Sequence, residues 1–159
     1  MGIKEASEFF KKIQSRTTSR REIKIYARFI GILEGLKNKE LTAEQTRQIE
    51  EQLDHLQLTT YPENKKRYFN KRYAEFANYL KTEFSLVTEG YYTAIGISLG
   101  ISFGAGMGII FGTGFGGGEG VGIGISMGAG LGITFGILWG KTKDAEAEKN
   151  GNVLKTKIN

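Results

Sequence analysis

The chain has 159 residues, a net charge of +5, a pI near 9.3, no cysteine and a single histidine. That is material for one domain with an appendage. The missing cysteines exclude disulfides and thiolate metal sites, and His55 alone cannot build a histidine-rich site or a conventional triad.

The mean hydropathy of −0.28 averages two different polymers. Residues 1–90 hold 17 Lys/Arg and 13 Asp/Glu, residues 91–140 hold no Lys/Arg and one Glu, and residues 141–159 hold five Lys and three acids. The regional net charges are +4, −1 and +2. A basic excess this modest and spread out does not favour nucleic acid, and part of it suits the anionic face of a membrane.

Ile3, Ala6, Phe9, Phe10 and Ile13 recur at helical spacing, so residues 3–14 read as a short amphipathic helix. The same stretch lacks the apolar core of a signal peptide, which places the N-terminal part in the cytosol. Ser15–Ser19 breaks the helix, and Thr18 or Ser19 can cap the next one. Between Arg20 and Lys37, Ile23, Tyr26, Phe29, Ile30, Leu33 and Leu36 form a broad apolar stripe, stopped by Asn38. Thr42 followed by Gln45 matches a capping box opening a third helix with Ile49, Leu53 and Leu56. Pro62 suits the first turn of a fourth, where its missing N–H is no loss. Phe69, Tyr73, Phe76, Leu80, Phe84 and Val87 share a face of that helix, which can run to Glu89. Residues 1–90 therefore read as a small basic helical bundle.

The fourth helix carries Lys65, Lys66, Arg67, Lys71 and Arg72 among Tyr68, Phe69 and Tyr73. Cations interleaved with aromatics can contact anionic lipid headgroups or another anionic ligand. The plainer reading is a solvated cationic face with its aromatics turned into the bundle. Arg20, Arg21, Lys24 and Arg28 admit the same two readings.

From Gly96 to Gly140 a glycine stands at every fourth position, and the only ionisable side chain is Glu119. Small and large residues also alternate, which is the period of a strand, so a β-hairpin pore or fibril-forming segment competes with a helical hairpin. Length decides. Glu119 and Gly116–Gly120 split the segment into arms of about 22 residues, close to the ~20 that a spanning helix needs and twice the 9–11 of a spanning strand. In hydrocarbon an unsatisfied backbone group costs several kcal/mol, more than the ~1 kcal/mol that each glycine costs a helix. The segment is expected to form a transmembrane helical hairpin over 91–140, with arms at about 91–115 and 120–140, followed by a mobile Lys-rich tail over 141–159.

On such helices Gly96, Gly100, Gly104, Gly108 and Gly112 form one small strip, opposite Ser98, Ser102, Gly106 and Gly114, a second strip interrupted by Ile110. The second arm repeats this with Gly124, Gly128, Gly132 and Gly136 opposite Gly122, Ser126, Gly130 and Thr134. Small strips are where membrane helices pack closely. Two opposite strips allow each helix two neighbours, and so a homo-oligomer. Residues 100–112 and 124–136 are an internal repeat with ten of thirteen positions identical. The literal G-x-G-x-x-G at 112–117 lacks the strand and acidic partner of a nucleotide site.

Basic residues flank the hairpin while its turn has none, so both termini are expected in the cytoplasm and Glu119 outside, a candidate pore mouth. Tyr91, Tyr92 and Trp139 stand at the cytoplasmic interface. These arms, of the form Gly-Ile-x-x-Gly-Ile-x-x-Gly, resemble bacterial glycine-zipper membrane proteins over residues 95–140. The resemblance implies membrane insertion, here at the bacterial inner membrane, and helix association, but no reaction. With no nucleophile–base pair, metal cluster or phosphate loop in context, the chain reads as a non-enzyme without a cofactor. The all-α architecture points to an oligomeric membrane protein forming a pore or channel, such as a membrane-permeabilising defence effector, gated or assembled by its helical bundle. A non-conducting anchor or scaffold, whose N-terminal domain binds a protein or anionic partner, is the alternative.

Overall fold

A computed structural model describes residues 1–60, 64–114 and 117–156. It divides into two units: residues 1–88 joined by the tail from Val153, and residues 89–152.

The first unit packs four helices, α1 (Ile3–Arg16), α2 (Arg20–Lys37), α3 (Ala43–His55) and α4 (Lys65–Phe84). α2 is the central element because its apolar residues are too many for one face. Ile25, Tyr26, Phe29, Ile30, Ile32, Leu33 and Leu36 are all buried. Phe10 of α1 stacks on Phe29 with ring centroids 4.2 Å apart, and Phe69 of α4 meets Phe10 and Tyr26 edge-on. Burial, reinforced by Glu22, pushes the Tyr26 hydroxyl up to about 12. Glu34 accepts from Lys11 and Ser7, each at 2.8 Å, and these bonds hold its carboxyl below the usual range.

The helix ends follow from local chemistry. The Thr42 hydroxyl accepts from the Gln45 N–H at 3.2 Å, and the Gln45 side chain accepts from the Thr42 N–H at 3.0 Å, closing the capping box. Ser19 holds the cap position of α2 without a side-chain bond. α1 runs two residues past its expected end. Pro62 lies outside the described residues; α4 is capped by Asn64, whose side chain accepts from the Arg67 N–H at 3.0 Å. α4 also stops short of Glu89. Ser85 takes a left-handed conformation (φ 55°), and the Leu86 N–H turns back to the Leu80 carbonyl.

That early stop frees Val87–Thr88 as a short strand, β1, which pairs in parallel with β2 (Val153–Leu154). The expectation of a mobile tail over 141–159 is therefore corrected. Residues 141–149 are helical, Gly151 (φ 70°) reverses the chain, and Leu154 is buried in the bundle at 1% exposure. Leu154 through Thr156 run along α2 where Gly31 and Gly35 leave room. A Cβ on Gly31 would stand 2.9 Å from the Thr156 carbonyl oxygen. Residues 157–159 are outside the described residues.

The second unit is a helical hairpin of α5 (Tyr91–Gly114) and α6 (Gly117–Lys149). The β-hairpin alternative does not hold, because each arm satisfies its backbone within a helix. Of the expected turn, Gly116 lies outside the described residues, and Gly117–Gly120 already belong to α6.

Candidate membrane-spanning hairpin

The arms meet along glycine. Gly96 faces Gly136, Gly100 faces Gly132, Gly104 faces Gly128, Gly108 faces Gly124 and Gly112 faces Gly120. At Gly96, Gly100, Gly104, Gly108, Gly124, Gly128, Gly132 and Gly136 an added Cβ would fall within 3.0 Å of the facing glycine's carbonyl oxygen. Each arm advances four residues per pair, so one antiparallel register holds from base to tip. The contact is backbone on backbone, which no other residue permits at this separation.

With glycines in the seam, the larger side chains flank it. Phe103, Met107 and Phe111 of α5 and Met127, Leu131 and Phe135 of α6 wall one apolar groove floored by glycine, with Glu119 at its tip end. All six wall residues are between 49% and 77% exposed. Soluble monomers rarely leave so large an apolar surface uncovered. Only 11% of the apolar window of α5 and 6% of that of α6 is buried, unlike the core helix of a soluble protein. At 1.5 Å per residue α5 is about 36 Å long, enough for a hydrocarbon layer of about 30 Å. Both helices are thus long and apolar enough to cross a membrane.

The outer edges of the hairpin carry the second pair of small strips. Gly106, Gly114, Gly118, Gly122 and Gly130 have nothing within 4 Å of a Cβ position. The hydroxyls on these edges bond within their own helices: Ser98 donates to Ala94, Ser102 to Ser98, Ser126 to Gly122 and Thr134 to Gly130, at 2.9–3.1 Å. The edges therefore present mostly small, internally satisfied surfaces, interrupted on α5 by the exposed Ile110.

At the base, Tyr91 and Tyr92 form an edge-on pair 5.2 Å apart, and Trp139 is 47% exposed one residue before Gly140, which packs on Tyr92 and Thr93. Sequence reading missed Asp144. Its carboxylate accepts from the Tyr92 N–H (2.9 Å), the Thr93 N–H (3.0 Å) and the Thr93 hydroxyl (2.6 Å), capping α5 from α6. Hydrogen bonds to a charged acceptor contribute about 1.5–3 kcal/mol each. Asp144→Ala should therefore fray the first turn of α5, and hydrogen exchange should show it as faster exchange at Tyr92 and Thr93 with Gly104 and Gly108 unchanged.

The basic residues of the bundle do not form one cluster. Arg72 bonds Glu75 at 2.8 Å and lies 5.0 Å from the Tyr68 ring, and Lys71 approaches Glu75 at 4.0 Å. Lys65, Lys66 and Arg67 are exposed, with no ion pair among the described residues. His55 is exposed.

No protein-family model, curated protein or solved structure matches this chain.

Proposed function

We propose that the chain is an integral membrane protein whose hairpins assemble side by side into a homo-oligomer that permeabilises the membrane. The observation that carries this reading is the unoccupied outer edge of each arm. The inner glycine strips are consumed in closing the hairpin, yet a second, mostly small strip with satisfied hydroxyls faces outward on both α5 and α6, interrupted on α5 by Ile110. Membrane helices associate through such strips, and two per hairpin suit a closed ring. Basic flanks favour a bacterial inner membrane with both termini cytoplasmic and Glu119 outside.

In such a ring either the Phe/Met/Leu groove or the opposite Ile/Ala face would line the centre. Both are apolar, so the lumen would conduct only when wide enough to wet, which is gating by dewetting. The same apolar lining favours a second reading, a non-conducting anchor for the bundle.

Reconstitution into dye-loaded vesicles separates the two. Gly106→Ile with Gly130→Ile should leave the hairpin closed, since nothing packs on either position, but abolish both the oligomer and dye release. Oligomers that release neither dye nor ions would establish the anchor, and a monomer in nanodiscs would overturn both the ring and the pore.

A further inference from the structure

We propose, resting on the membrane-spanning reading, that the groove of the hairpin holds one acyl chain of a phospholipid whose headgroup carries a primary ammonium, and that Glu119 takes the ammonium. The two faces of the glycine seam are closed differently. On one, the short or branched Ile125, Ala129, Ile133 and Ile137 are half-buried. On the other, larger side chains such as Phe103, Met107, Met127 and Phe135 flank a cavity of about 980 Å³ floored by glycine. That is the upper end of the ~300–1,000 Å³ typical of small-molecule sites. The cavity is long: its α6 wall runs from Glu119 to Phe135, about 24 Å of helix. One leaflet of hydrocarbon is about 15 Å deep, so a lipid with its head at Glu119 can lay a whole chain in the groove. Unbranched methionines adapt to an irregular apolar shape, and the glycine floor lets the chain approach the backbone.

The tip end of the groove selects the headgroup. Glu119 is exposed and lines the cavity, and it is the only ionisable side chain between Gly96 and Gly140. Gly112 faces Gly120, and Phe111 and Glu119, which line the cavity together, flank that pair. A carboxylate and an aromatic ring at one end of an apolar slot suit an ammonium, and a primary ammonium adds three N–H donors. A second copy of the chain is a poorer occupant. Two such grooves are both concave, and a parallel copy would bring a second Glu119 carboxylate to the same end, where like charges repel. A lipid in the groove turns this face outward and leaves the Ile/Ala face to line the centre of a ring.

The test uses the full chain in phosphatidylcholine nanodiscs doped with a lipid that bears a photoreactive group at one chain end. With phosphatidylethanolamine as the doped lipid, label should fall on the groove walls, around Met107, Met127 and Phe135, rather than on Ile125 and Ile133. The same probe on a phosphatidylcholine headgroup, which has no N–H, should label the walls about threefold less, the size of one exposed charged pair. Glu119→Gln should bring the two probes level while the label stays on the walls. Label spread equally over both faces overturns the groove, and equal labelling by the two headgroups in the unaltered chain overturns the role of Glu119. Either result leaves the hairpin in lipid. A hairpin labelled by neither probe overturns the membrane-spanning reading as well. Disulfides between copies through Met127→Cys, formed at the expense of lipid label, would give the groove to a second copy and overturn the lipid.

Discussion

Gly104→Ile will drive the two arms of the hairpin apart. A side chain at position 104 meets the Gly128 backbone carbonyl, which cannot rotate aside as a side chain can. Overpacking of this kind costs about 1–3 kcal/mol where neighbours can yield, and more where they cannot. The opposing gain, the better helix propensity of a non-glycine residue, is at most about 1 kcal/mol. The clash therefore wins at Gly104, even for alanine. At Gly106, where nothing in the same chain lies within 4 Å, only the propensity gain remains within a single hairpin, and Gly106→Ala should stabilise α5 of the monomeric hairpin in detergent. The chain has no cysteine, so spin labels at Ser98→Cys and Thr134→Cys, on the two outer edges, report the separation directly. The labelled distance should lengthen for Gly104→Ile and stay unchanged for Gly106→Ala. An unchanged distance in both would rule out the glycine seam.

The second large effect is expected in the tail. Leu154 is buried at 1% exposure, and truncating a buried leucine to alanine costs about 2–5 kcal/mol. A small domain holds only about 5–15 kcal/mol in all, so Leu154→Ala should lower the melting temperature of the bundle and, by freeing the backbone around the already exposed Lys149 and Lys155, speed trypsin cleavage there. Gly31→Val should do the same from the other side of the contact by displacing the Thr156 carbonyl. The Ser98–Thr134 label distance should not move in either variant. Normal stability in both would mean that the tail contributes nothing to the bundle.

The parts of this molecule that were legible in the sequence are those whose causes are local. The Thr42–Gln45 capping box needs a four-residue stretch of chain and nothing else, and α2 announces itself by its apolar stripe. The four-residue glycine period marked both arms because helix geometry turns that spacing into a strip. What escaped depended on partners far along the chain. Asp144 looks like one more solvated acid until Tyr92 and Thr93, 52 and 51 residues away, are placed beside it. Val153 and Leu154 are too short a run to signal a strand, and the glycines that receive the tail, Gly31 and Gly35, read as weak points in α2. The left-handed Ser85 also escaped, because serine gives no warning of that conformation. The basic residues of α4 looked like one cluster because their sequence spacing is tight, but helical rotation sends Lys71 and Arg72 towards Glu75.

The return of the tail sets an order of events during synthesis. Domains fold as units while the chain emerges, N-terminal parts first, but this bundle lacks its last strand until residue 154 has been made. Both arms of the hairpin are complete before then. The groove over Gly31 and Gly35 stays open for the whole time the hairpin is being made, and it closes only when a chain with two finished arms brings Leu154 back. A nascent or prematurely terminated chain would therefore carry an unsealed bundle, and the sealed form would mark a molecule synthesised through both arms.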